Sequence, residues 1–383
     1  MNRVLIVTTI GGFLPQFEMN NVRLLQERGC EVHYASNFAH PVYRFDAKEL
    51  KQKGIRLHPI PVEKSPFCFR SNLRTILRLR QIIDREGITM VHCHNPMGGV
   101  TARIAAAWSR SKPYVIYTAH GLHFYKGAPL WYWLLYYPVE RLLARVTDCL
   151  ITINREDRKN AKRLPLRHRG NVWQICGAGV DAKRFRPEPS DQRRELGIPE
   201  DAFHIVTAAE LNDNKNQRVV IEALSRLNDD SIRYSLCGRG RRKRDLLRLI
   251  RDRGLEKNVH LLGYRTDMEE ILRTADAFAF PSIREGFGIA AVEALLSGVP
   301  LIASDNRGTR EYALNGENAI LCRAGYPEDF ADAIRRLKED PGLRDSLAEK
   351  ARASAMKFSG ENVEATMRKI YESVLKTINE GKR

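Results

Sequence analysis

The chain has 383 residues, 43% hydrophobic and 28% charged, which excludes global disorder and fits two domains of ordinary size. Its formal net charge of +17 means that its surface attracts polyanions: nucleic acid, anionic lipid or phosphorylated substrates. No run of about 20 apolar residues occurs, which excludes a membrane-spanning helix. Seven cysteines scattered singly, without a C-x-x-C, point to free thiols in a reducing cytosol.

The opening apolar run, residues 4–9, is short and is followed at once by Gly11 and Gly12, so it predicts a buried strand rather than a secretory leader. Further buried strands are predicted over 31–36, 90–93, 114–119 and 149–153, with helices over 20–28 and 73–85 between them. The alternation weakens over 177–202, where Pro187, Pro189, Gly197 and Pro199 mark a linker or domain crossing. A second series follows, with strands over 204–209, 233–237, 259–262, 277–281 and 299–304 and helices over 217–227 and 245–253. A helical tail is predicted over 351–379, with Val363, Met367, Ile370, Tyr371 and Val374 on one face. Strand–helix alternation of this kind builds doubly wound parallel sheets, whose ligands sit at the carboxyl ends of the strands. The expected division is 1–185, 186–355 and a C-terminal helix, 356–383, packing back on the first domain.

One stretch concentrates chemistry after a strand: Pro281-Ser282-Ile283-Arg284-Glu285-Gly286-Phe287-Gly288, then a helix carrying Glu293, then Gly298-Val299-Pro300. Gly286 and Gly288 let backbone approach a ligand, and the free N–H groups of the following helix form an anion site. Eight helical steps separate Glu285 from Glu293, about 12 Å. That exceeds the roughly 5–9.5 Å of a glycosidase carboxylate pair. Such carboxylates suit the two ends of one long ligand, as a nucleotide-sugar offers. The bland reading is a helix cap and a surface charge.

The full run, with a second glutamate eight positions after the first and Ala-x-x-x-Gly-x-Pro behind it, resembles the donor signature of family 4 retaining glycosyltransferases. That resemblance implies the GT-B fold: two Rossmann-like domains facing across a cleft, the first for acceptor and the second for a nucleotide-sugar donor. It extends along the chain. Gly11-Gly12 resembles the turn facing the donor diphosphate. Thr118-Ala119-His120-Gly121 resembles the strand-end histidine beside the sugar. Tyr264-Arg265 is similar to the segment framing the base. By the same resemblance Glu285 binds sugar hydroxyls, the backbone of Gly286, Phe287 and Gly288 lines sugar and diphosphate, Glu293 binds ribose, and Lys215 neutralises the diphosphate. Where many members have arginine this chain has Glu210, and Arg239, Arg241 and Arg265 are the cations that could compensate. The stretches around Glu210–Gln217 and His92–His120 look like a capsule and exopolysaccharide subgroup. They imply a UDP-hexose or UDP-N-acetylhexosamine donor and a lipid-diphosphate-linked saccharide acceptor.

With no D-x-D site in a convincing context, the chemistry is expected to need no metal and to survive chelator. His92, Cys93, His94, His120 and His123 invite a zinc reading. Alternation along a strand, however, puts His92 and His94 on one side and Cys93 on the other. The arginine-dense stretches 70–85, 155–169 and 239–253 read singly as solvated helix faces and together permit contact with an anionic membrane surface. No zinc-finger or RNP-type signature supports a nucleic-acid partner. The aromatic run from Leu130 to Pro138 reads either as core or as a membrane-interface anchor. The expected location is cytoplasmic, peripheral at the inner face of the membrane. Three rival functions remain: a nucleotide-sugar epimerase on the same fold, a catalytically silent partner that binds without reaction and, third, a basic nucleic-acid binder.

Overall fold

In the computed structural model, which describes every residue except His40, Ala178, Asp191, Lys382 and Arg383, the chain forms two compact units. The first comprises Met1–Ala178 and Val363–Arg383, the second Gly179–Asn362.

The first unit holds a seven-stranded parallel sheet: β1 (Arg3–Val7), β2 (Glu31–Ser36), β3 (Ile55–Pro59), β4 (Met90–His94), β5 (Tyr114–Ala119), β6 (Cys149–Thr152) and β7 (Asn171–Gln174). Its order is β3-β2-β1-β4-β5-β6-β7. The second unit holds β8 (Phe203–Ala208), β9 (Ile232–Cys237), β10 (Val259–Gly263), β11 (Ala277–Phe280), β12 (Leu301–Ser304) and β13 (Ala319–Cys322), ordered β10-β9-β8-β11-β12-β13. All registered pairs are parallel. Central strands are covered by helices on both faces, which is why β1, β4, β5, β8 and β11 read as continuous apolar runs. In each sheet the order reverses beside the first strand, between β1 and β4 and between β8 and β11, and ligands of such sheets bind at that switch.

Three strands were absent from the sequence reading: β3, β7 and β13, all at sheet edges. β3 buries only Ile55 fully and β7 none of its residues, so neither needs an unbroken apolar run. β13 is only four residues long. The tail departs from one continuous helix. Helix Pro341–Ala355 ends in a 3-10 turn, Met356–Phe358, before helix Gly360–Asn379 begins. Ser359 is extended between them (φ −60°, ψ 153°). Val180 brackets the break, its N–H donating to Phe358 O at 3.2 Å and its carbonyl accepting from Gly360 N at 2.8 Å. The last helix buries Val363, Met367, Ile370, Tyr371 and Val374 within the first unit, where Tyr371 Oη lies 3.0 Å from His92 Nδ1.

The aromatic run opens the helix Leu130–Ala144. Trp133, Tyr136 and Tyr137 turn onto the core, whereas Leu130, Trp131, Leu134, Leu135, Val139 and Leu142 face solvent. Among the described residues no helix is long and apolar enough to cross a membrane. All seven cysteines are free thiols.

Candidate active site

In the second unit the loops after β8 and β11 meet at the switch point. Asn212 Oδ1 accepts the Lys215 N–H at 2.9 Å and shapes the β8 loop. Asn214 stitches it to the β11 loop: its side-chain amide donates to Arg284 O at 2.9 Å, and its carbonyl accepts from Ile283 N at 2.8 Å. Lys215 Nζ is thereby set 2.5 Å from Glu285 Oε1 and 5.3 Å from the centre of the Phe280 ring. Both charged groups stay partly open to solvent. Gly308 lies against Glu285 so closely that a Cβ there would come within 2.8 Å of the glutamate.

Gly288 heads the helix Ile289–Leu296 in a left-handed conformation (φ 103°) and makes no side-chain cap. A Cβ at Gly288 would lie 2.5 Å from Tyr312 Oη and 2.8 Å from the Phe280 ring, so only glycine fits. No side chain caps the helix start, where unpaired N–H groups and the positive end of the helix dipole favour an anion. The Phe287 ring is buried against Tyr312 and Phe358.

Glu293 sits in the same helix, partly buried. Burial raises its carboxyl to about 7; Arg184 opposes that shift and Glu269 adds to it. Arg184 comes from the chain just past Gly179 and is held by Thr266 O at 2.5 Å and Glu269 Oε2 at 2.6 Å. Arg352 fixes this segment, donating to Ala182 O, Phe185 O and Leu296 O at 3.1, 2.9 and 2.5 Å. Sequence reasoning missed Arg184; its only signal is its place in the 177–202 crossing. At the end of β10, Tyr264 is exposed, while Arg265 is tied to Asp267 by bonds of 2.9 and 2.5 Å. Glu210 is exposed at the end of β8.

Gly11, Gly12 and His120 belong to the first unit. Gly11 and Gly12 (φ 86°) touch the backbone at Asn37 and Tyr43, where a Cβ on either would come within 2.5 Å. That close packing is by itself a sufficient reason for glycine. His120 Nε2 lies 3.2 Å from His94 Nδ1, which lies 3.4 Å from Glu18 Oε1. Glu18 ends a π-helical turn, Leu14–Glu18, and was not foreseen, because nothing local links it to a histidine some 75 residues away. Burial raises its carboxyl to about 7, with Asn21 opposing, and lowers His120 to about 4. His94 falls well below its usual range by burial and by its neighbours His92 and His120. The three ligand atoms lie within 4.8 Å of one another, the set among the described residues that could hold a metal ion or share protons. The other tempting residues are engaged elsewhere. His92 meets Tyr371 and Thr118 at 3.0 and 2.8 Å, Cys93 Sγ points at Ile116 O, and His123 stacks on Tyr136.

The architecture is that of proteins built from two Rossmann-like α/β units. The family described as "Glycosyltransferase Family 4" matches residues 19–182, and "Glycosyl transferases group 1" matches residues 189–354. Among curated relatives, Bacillus subtilis EpsD, which bears a glycosyltransferase name, is 38% identical over 97% of both chains. The Escherichia coli UDP-Gal:alpha-D-GlcNAc-diphosphoundecaprenol alpha-1,3-galactosyltransferase is 28% identical over 76% of both. The solved structure of Anabaena HepE in complex with UDP-glucose is similar in fold, with a TM-score of 0.78 and 20% identity over 97% of this chain and 100% of that one. The chain belongs to the family 4 glycosyltransferases and has the GT-B fold.

Proposed function

We propose that this glycosyltransferase is a retaining enzyme that moves a hexose or N-acetylhexosamine from a UDP-sugar to a lipid-diphosphate-linked saccharide in capsule or exopolysaccharide assembly. The observation that carries the reading is the Lys215–Glu285 pair beside an open helix start at the switch point of the second unit. In this scheme Glu285 holds sugar hydroxyls, Glu293 the ribose, and Tyr264 and Arg265 the base. The sugar C1–O bond breaks and its electrons leave with the nucleotide diphosphate. Lys215 and the N–H groups after Gly288 stabilise that charge, with no metal ion required. The acceptor hydroxyl attacks from the same face, and its proton passes to a leaving-group oxygen. His120, a neutral imidazole by the shift given above, is the catalytic residue assigned to the first unit. Names of relatives support the donor and acceptor classes: the Escherichia coli enzyme is named for UDP-Gal and a diphosphoundecaprenol-linked sugar, and a Staphylococcus aureus relative for capsular polysaccharide.

The test is nucleotide release from a panel of UDP- and GDP-sugars with bacterial lipid-linked acceptors, in EDTA. One donor is expected to release nucleotide only with acceptor, to give a product of unchanged anomeric configuration, and to lose the reaction on Glu285→Ala by about 100-fold or more. A requirement for added divalent ion or an inverted product would overturn those parts. No release from any donor would favour a silent binding partner, and a rearranged donor sugar without transfer an epimerase.

We further propose that the first unit docks on an anionic membrane. Its helix Leu130–Ala144 presents the exposed aliphatic face described above, and Phe67, Phe69, Leu73 and Leu77 are exposed among Arg70, Arg74 and Arg78 on another stretch of the unit. Apolar and basic groups together suit lipid with anionic head groups. Flotation with anionic but not neutral liposomes is expected; no flotation with either removes the proposal.

A further inference from the structure

We infer that Arg239 is a diphosphate-binding residue of the donor site, the second cation beside Lys215; this rests on the donor reading above. A nucleoside diphosphate brings at least two negative charges, and the one lysine at the switch point is already opposed by Glu285. The next cation must come from a neighbouring loop, and the loop after β9 is clamped to the Lys215 loop. Leu211 N donates to Arg239 O at 2.9 Å, and Arg242 N donates to Leu211 O at 3.1 Å. Arg241 and Arg242 both grip Asp213, with contacts of 2.6 Å each. Gly240 lies so close to Leu211 that a Cβ there would come within 2.3 Å of its carbonyl oxygen. Gly238 N donates to Gly263 O at 2.6 Å, joining the same loop to the end of β10.

Arg239 therefore stands between the loop of Lys215 and Tyr264, its guanidinium 5.8 Å from the centre of the Tyr264 ring. The neighbouring arginines are committed: Arg241 and Arg242 to Asp213, Arg265 to Asp267. Among the described residues, Arg239 is the arginine of the β9 and β10 loops without a carboxylate partner. Its side chain is exposed and its backbone fixed, which is what a phosphate contact between a base and a sugar needs. Glu210, exposed in the same loop as Lys215, adds a negative charge there rather than a second cation.

The experiment is calorimetric binding of UDP and GDP, each against its own nucleoside, to the full chain and to variants whose melting is unchanged. Arg239→Ala is expected to weaken the bound diphosphate about 10-fold while changing the nucleoside less than twofold. Glu210→Arg in the Arg239→Ala background is expected to recover most of the loss, and Arg244→Ala, on the adjacent helix, to change nothing. Equal weakening of diphosphate and nucleoside, or no weakening of either, overturns the assignment. Lys215→Ala separates the two levels of the argument. If it weakens diphosphate binding and Arg239→Ala does not, only the Arg239 assignment fails. If neither does, or the parent binds no diphosphate, the donor reading fails with it.

Discussion

In the first unit Arg103 is 1% exposed and meets Glu140 through two hydrogen bonds of 2.8 and 3.1 Å, its guanidinium 4.0 Å from the Tyr117 ring centre and its Nε donating to Gly99 O. In the second, Lys215 meets Glu285 through one bond of 2.5 Å, and the side chains remain 23% and 11% exposed. The first pair is closed: Nε, Nη1 and Nη2 of the buried guanidinium each donate to protein and its face lies over a ring, so it fixes helices. Among the described residues, the second leaves ammonium protons and one carboxylate oxygen uncommitted at the ends of strands. An ion pair that is closed is structure; the same chemistry left open at a switch point is a site.

The sharpest way to break this contrast is Glu140→Ala, which would strand a buried guanidinium. A loss of about 3–5 kcal/mol is expected, read as a lowered unfolding midpoint of the first unit, with diphosphate binding by the second unit retained at temperatures where the chain is folded. A loss of less than about 1 kcal/mol would put the pair in the class of surface bridges and erase the distinction.

A smaller effect comes from pH. Folding raises Glu293 from 4.5 to about 7, so the native state holds more protons than the unfolded chain between those values. Its contribution to stability therefore falls as pH rises through that window. Glu293→Gln is expected to remove the slope, gaining on the parent by up to roughly 3 kcal/mol between pH 4.5 and 7 in parallel melts. A constant difference across the window would show that Glu293 is solvated. The first unit slopes the other way at His92, which burial lowers from 6.5 to about 3. That contribution is lost as pH falls below about 6.5.

Much of this was legible in the sequence. Parallel strands covered on both faces are largely apolar, so those inside the sheets stood out as runs, as did the edge strand β10. Edge strands such as β3 carry no such demand and stayed hidden. Glu285, Gly286 and Gly288 were candidates because strand, turn and helix start are consecutive, whereas Lys215 was a candidate only through the resemblance to family 4 glycosyltransferases. The helical tail was read as continuous because Met356–Ser359 has no proline or glycine; Val180, some 180 residues away, makes the break.

The sequence by itself determined two α/β units, the glycine-opened turn before Ile289, and which carboxylates flank it. These are local consequences of periodicity and of where a chain can turn. Only the tertiary structure decided how the remaining charges are spent: Arg265 on Asp267, Arg241 and Arg242 on Asp213, Arg184 beside Glu293, Glu18 beside His94, and Arg239 near the Tyr264 ring with no carboxylate partner among the described residues. The reason is physical. A long charged side chain chooses among partners set close by strand order and loop packing, and that choice leaves no mark in the spacing of residues along the chain.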